Sequence, residues 1–122
     1  MGSGREMFGA FIRREREGRE IGLREMAKKI GVSPTYLSKV ERDEFSPPAE
    51  DRVRKIAEIL DLDPDELLAR AGKVSSDLTE IIRRQPREMA NFLRSAGDRL
   101  TADEWRQLTE KTREKNRKAK NR

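Results

Sequence analysis

The stretch Leu23-Arg24-Glu25-Met26-Ala27-Lys28-Lys29-Ile30-Gly31-Val32-Ser33-Pro34-Thr35-Tyr36-Leu37-Ser38-Lys39-Val40-Glu41-Arg42 decides how this chain folds. Leu23, Met26, Ala27 and Ile30 recur at the spacing that lays one apolar face along a helix. Gly31 follows as the residue type that accepts a left-handed conformation at a helix end. Ser33 then offers a side-chain oxygen as N-cap, and Pro34 fits the first helical position, where its missing N–H costs nothing. Val32 and Leu37 stand where a hydrophobic staple forms. In the second helix Leu37 and Val40 point inward, whereas Thr35, Tyr36, Ser38, Lys39 and Arg42 point elsewhere. Two short helices therefore meet across a tight turn, and the small Ala27 lets them cross closely.

Working outward, Met7, Phe8, Phe11 and Ile12 stripe one face of a first helix, from about Glu6 to Gly18, where the glycine permits the chain to stop and turn. Arg13, Arg14, Arg16 and Arg19 alternate with glutamates and read as its solvated face. After the quoted stretch, Pro47-Pro48 marks a loop, since two prolines cannot sit inside a helix. Val53, Ile56, Ala57 and Leu60 stripe a fourth helix. Asp63 as cap, Pro64 at the first position, Glu66 two residues on and a Leu62–Leu67 staple start a fifth, which stops at Gly72. Asp63, Asp65 and Glu66 read as helix-start residues, because negative charge there complements the macrodipole.

Three further segments follow. Ser75 or Ser76 caps a short helix carrying Leu78, Ile81 and Ile82, which ends before Pro86. Pro86 opens another, with Met89, Phe92, Leu93 and Ala96 apolar and Gly97 as its stop. Thr101, Glu104 and a Leu100–Trp105 staple start the last. From Lys111 onward no apolar residue exceeds Ala119, so residues 111–122 are either a solvated extension of that helix or disordered. No run alternates as a half-buried strand does, and the expected class is all-α.

The composition agrees with narrow apolar stripes: of 122 residues, 42% are charged and only 34% hydrophobic. With no cysteine and no histidine, disulfides, thiol nucleophiles, imidazole bases and Cys/His zinc sites are excluded. No nucleophile–base pair or phosphate-cradling loop suggests an enzyme, and no cofactor is implied. No apolar run approaches the ~20 residues of a membrane span, so a cytoplasmic location is expected. Residues 1–5, beginning Met1-Gly2-Ser3-Gly4, lack the apolar region of a signal peptide and read as an expression scar. Net charge is +5, unevenly placed. Residues 1–42 hold ten basic and six acidic side chains, residues 43–72 four and nine, and residues 111–122 seven and one. By sum alone, the net positive charge thus belongs to the tail.

The quoted stretch closely resembles the Xre family, the lambda-repressor-like and Cro-like helix-turn-helix domains, and the similarity extends over about residues 6–72. It implies a five-helix DNA-binding domain, acting on an operator in double-stranded DNA, whose second motif helix enters the major groove. Carried over by position, Thr35, Tyr36, Ser38 and Lys39 are the candidate base-edge contacts. Arg24, Ser33 and Arg42 are the candidate phosphate grips. Tyr36 has an alternative role, packing over the junction of the two helices, and Lys39 has one as a solvated lysine. The sequence departs from the family at two places. Asp43 stands where relatives often carry glycine, and Leu23-Arg24 replaces a frequent glutamine.

Family members pair on palindromic operators with half-sites ~34 Å apart, so residues 73–110 are expected to form a helical homodimerisation block. Its interface residues would be Ile81, Ile82, Met89, Phe92, Leu93, Trp105 and Leu108, with Phe92 and Trp105 as anchors; alternatively the block covers its own headpiece. In length and layout the chain also resembles small repressors of mobile elements and of defence or damage-response loci. Some of those are inactivated when a partner zinc metallopeptidase cuts the C-terminal block. An antitoxin, with the block masking a toxin, would carry the same headpiece.

Overall fold

Apolar spacing, capping residues and breakers produce eight α-helices and no strand across the residues described by the computed structural model, 6–121. The helices are α1 (Phe8–Gly18), α2 (Leu23–Ile30), α3 (Pro34–Glu41), α4 (Glu50–Leu60), α5 (Pro64–Arg70), α6 (Ser76–Arg84), α7 (Pro86–Ala96) and α8 (Ala102–Lys120). The reading of residues 1–5 as an expression scar falls outside the described residues.

Local capping chemistry sets several boundaries as expected. Ser33 Oγ accepts from the Tyr36 N–H at 3.0 Å, and Asp63 Oδ1 accepts from the Glu66 N–H at 3.0 Å. Thr101 and Glu104 complete a reciprocal capping box, at 3.1 and 2.9 Å. Gly31 adopts φ +77°, the left-handed turn that lets α3 follow α2 so closely. The end of α1 differs from expectation. Gly18 is its last helical residue, and the left-handed residue is Glu20, at φ 57°. The start of α1 also lacks a cap of its own, since Met7 supplies no side-chain acceptor; Asp43 takes that place from the end of α3.

The chain divides into two units, one ending at Thr79 and the other beginning at Glu80. In the first, α2 packs on α3 and α4, α1 on α3, and α4 on α5. The stripes converge on one core, in which Ile12, Met26, Ala27, Leu37, Val53, Ile56, Ala57 and Leu60 are fully buried. Each large member contributes about 1.5–3 kcal/mol by leaving water. Phe11 closes the edge of this core beneath the Arg70 guanidinium, 3.8 Å from its ring centre. The first turn of α6 belongs to this unit. Glu50, in the first turn of α4, accepts from the Ser76 N–H at 3.1 Å, and the buried Ser75 hydroxyl bonds Arg54 and Asp77. That hydroxyl is the chief reason the Asp77 carboxyl is held below the usual aspartate range.

The second unit holds the rest of α6 with α7 and α8. Phe92 and Trp105 meet edge to face, ring centres 5.8 Å apart at 80°. The expected tail, residues 111–122, is the continuation of α8 as far as Lys120. Strong helix formers and the absence of Gly or Pro after Gly97 account for this.

Candidate nucleic-acid interface

Helix α3 sorts its side chains by the helical period. Leu37, Val40 and Glu41 are buried, which turns Thr35, Ser38, Lys39 and Arg42 to the opposite face. Thr35 and Arg42 are exposed, and Ser38 and Lys39 are half-buried. The structure therefore brings together three of the four candidate base contacts and one phosphate grip on a single face. Tyr36 lies on the flank of that face, half-buried against the core.

Ser33 is exposed, and its hydroxyl is engaged as the α3 cap. Arg42 donates to the Ser38 carbonyl at 3.4 Å and pairs with Glu44 at 2.8 Å. Both partners are more than half exposed, so this pair is weak. Arg24 stands exposed in the first turn of α2, whose N-cap, Gly22, provides no side-chain acceptor. The N–H groups at that helix start are open to an anion.

Three features beneath and beside this face escaped the sequence reading. The first concerns Arg16, which was expected on the solvated face of α1. It is buried, and its guanidinium grips Glu41 through two bonds, Nε–Oε2 at 2.8 Å and Nη2–Oε1 at 2.9 Å. A third bond runs to the Ile21 carbonyl at 2.8 Å, which satisfies the turn after α1. The hydrogen bond to Glu41 holds the Arg16 pKa above its usual value, against the opposing effect of burial. A run of alternating charges gives no sign that one arginine faces inward, because its partner lies on another helix.

The second feature is Phe45, which the sequence places only in a loop. The Glu44 and Phe45 N–H groups both return to the Lys39 carbonyl, at 2.9 and 3.3 Å. This folds the Phe45 ring against α3, 5.8 Å from the Tyr36 ring and 5.2 Å from Lys39 Nζ. An ammonium over an aromatic face is attracted electrostatically, so Lys39 is steadied at the edge of the presented surface. The third feature is Asp43, whose carboxylate ties α3 to α1.

The proposed dimer residues lie in the second unit. Ile81, Phe92, Leu93 and Leu108 are exposed at 45%, 46%, 43% and 38%, while Ile82, Met89 and Trp105 are half-buried. Ile81, Met89 and Phe92 share a shallow apolar trough edged by Arg84, Gln85 and Glu88. Among the described residues, no acidic cluster has the make-up of a metal site, and no helix is long and apolar enough to cross a membrane.

A helix-turn-helix domain family matches residues 9–73. An uncharacterized HTH-type transcriptional regulator of Mycobacterium tuberculosis is 37% identical over 75 residues, which are 62% of this chain and 53% of that protein. The chain thus spans about half the length of this mycobacterial relative. The HTH-type transcriptional regulator SinR of Bacillus licheniformis is 31% identical over 90 residues, covering 74% of this chain and 77% of SinR. Among solved structures, SinR, the master regulator for biofilm formation, in complex with DNA is 34% identical over 51% of this chain and 98% of its own, with a TM-score of 0.46. The matched segment contains the whole α2–turn–α3 stretch, and the chain belongs to the Xre-type helix-turn-helix family of transcriptional regulators.

Proposed function

We propose that the chain is a sequence-specific transcriptional repressor that binds a palindromic operator as a homodimer and regulates its own gene. One observation carries this reading: Thr35, Ser38, Lys39 and Arg42 share the outward face of a helix locked from behind by Leu37, Val40 and the buried Arg16–Glu41 pair. Thr35, Tyr36, Ser38 and Lys39 read base edges, and Arg24, Ser33 and Arg42 hold phosphates on either side. The second unit pairs the protomers through Ile81, Ile82, Met89, Phe92, Leu93, Trp105 and Leu108. The exposed apolar side chains among these support that role, since isolated surface helices do not need them. Inactivation by a zinc metallopeptidase would act on this same unit and separate the headpieces. The site of action is the cytoplasm, where the operator is.

Selection from a randomised duplex pool tests the reading. Enrichment of two symmetric half-sites about one helical turn apart is the expected result, and an unenriched pool rejects it. The antitoxin reading shares the headpiece but assigns the Ile81–Met89–Phe92 trough to a toxin. A purified chain that sediments as a dimer on its own favours the repressor, whereas a monomer that dimerises only with a co-expressed neighbour favours the antitoxin.

A further inference from the structure

Helix α8 carries two lysines, Lys111 and Lys115, whose charge its own folding does not explain. Its start is fixed by the Thr101–Glu104 capping box, and from Arg106 to Asn121 every residue is exposed. Arg117, Lys118 and Lys120 lie in the last turn, where cations complement the negative end of the helix macrodipole. That effect fades within a turn and does not reach Lys111 or Lys115. Arg113 and Arg117 share the carboxylate of Glu110, at 3.6 Å each. Lys111, Lys115 and Lys118 form a separate row, at i, i+4 and i+7, with the single carboxylate of Glu114 beside them, and no ion pair within 4 Å engages the three lysines among the described residues. Like charges at this spacing weaken a helix, and no apolar side chain is buried beneath the row to offset the cost.

We infer that the Lys111–Lys115–Lys118 row of α8 is a second, sequence-blind contact for the sugar–phosphate backbone of duplex DNA. The inference rests on the DNA-binding reading proposed above. At the helical rise the row spans about 10 Å, long enough for its three lysine heads to reach neighbouring phosphates of one backbone. Lysine heads are compact cations on flexible stems, suited to point contacts with phosphate oxygens. Residues 106–121 contain no aromatic side chain, so they offer no stacking platform for single strands. Once the headpiece is on DNA, the tethered lysines meet flanking phosphates at high effective concentration.

The test uses the full chain with Lys111→Gln, Lys115→Gln and Lys118→Gln together, and a companion with arginine at the same positions. Fluorescence anisotropy on a random-sequence duplex is followed between about 50 and 200 mM salt. The glutamine variant is expected to show a log K against log [salt] slope shallower by about 2.7, from about 0.9 for each of three phosphates. The arginine variant keeps the wild-type slope, and helicity by circular dichroism is the same in all three. A glutamine variant with an unchanged slope overturns this inference and leaves the operator reading standing. So does binding by the row to anionic phospholipid vesicles with none to duplex. A wild-type chain that retains no duplex of any sequence overturns both readings.

Discussion

Asp43, in the left-handed conformation at φ 60°, caps helix α1 from across the domain: Oδ1 accepts from the Gly9 N–H at 2.7 Å and Oδ2 from the Ala10 N–H at 3.2 Å. The residue that departs from the family's usual glycine therefore supplies the acceptor that Met7 lacks. Asp43→Ala should lose about 2 kcal/mol in urea unfolding, roughly half from the cap and half from the backbone conformation. Asp43→Asn keeps one acceptor and tolerates the same backbone, so it should lose less; equal losses would contradict the cap. Gly9→Ala is a sharper test of the same junction. Its Cβ would lie 2.1 Å from the Val40 carbonyl oxygen, and the strain should cost at least the ~1–3 kcal/mol typical of overpacking.

The Arg16–Glu41 pair, with side chains 9% and 3% exposed, makes an opposite pair of predictions. Glu41→Ala leaves a buried guanidinium without its partner and should destabilise by about 3–5 kcal/mol. Replacing both residues by apolar side chains of similar volume should be near neutral. A double replacement as damaging as the single one would mean that the bond to Ile21, and not the ion pair, is what the fold needs.

Lys39 and Phe45 form a testable couple. Lys39→Ala should lose about 1–3 kcal/mol of operator-over-random preference if it reads a base; equal weakening on both duplexes assigns it to phosphate. Phe45→Leu should lower that preference about two- to fivefold, the worth of an exposed cation–π contact. In a Lys39→Ala background the same change should do nothing further. Additive losses would show that Phe45 acts independently of the lysine.

Self-association is best probed away from the chain's own packing. Trp105 already meets Phe92 within one protomer, so Trp105→Ala perturbs both contacts. Ile81 and Leu93 are 45% and 43% exposed, and a glutamate at either position should leave the fold intact. Sedimentation of Leu93→Glu or Ile81→Glu is expected to show a shift towards monomer. Unchanged mass would reject this face as the interface.

The parts of the fold written in neighbouring residues were legible before the structure. Ser33-Pro34, Asp63-Pro64 and Thr101 with Glu104 start helices by chemistry confined to one turn, and Gly31 ends one in the same way. The presented face of α3 followed from its period. What remained hidden joins residues far apart in sequence. Arg16 meets Glu41 across 25 positions, Asp43 reaches Gly9 across 34, and Glu50 caps Ser76 across 26. Each belongs to a segment whose local pattern suits a solvated surface, and only packing of the helices reveals the partner. Phe45 was hidden for a related reason, because the turn that folds it onto Lys39 uses backbone bonds, which leave no signature in residue type.

The central claim, that the α2–α3 motif reads a symmetric site as a dimer, meets its most direct test in a footprint on the DNA upstream of the chain's own gene. The account predicts one protected region with two-fold symmetry and half-sites about 34 Å apart, present with the wild-type chain and lost at equal protein concentration with Lys39→Ala. Protection without symmetry, or protection that persists unchanged in the Lys39→Ala variant, would contradict it.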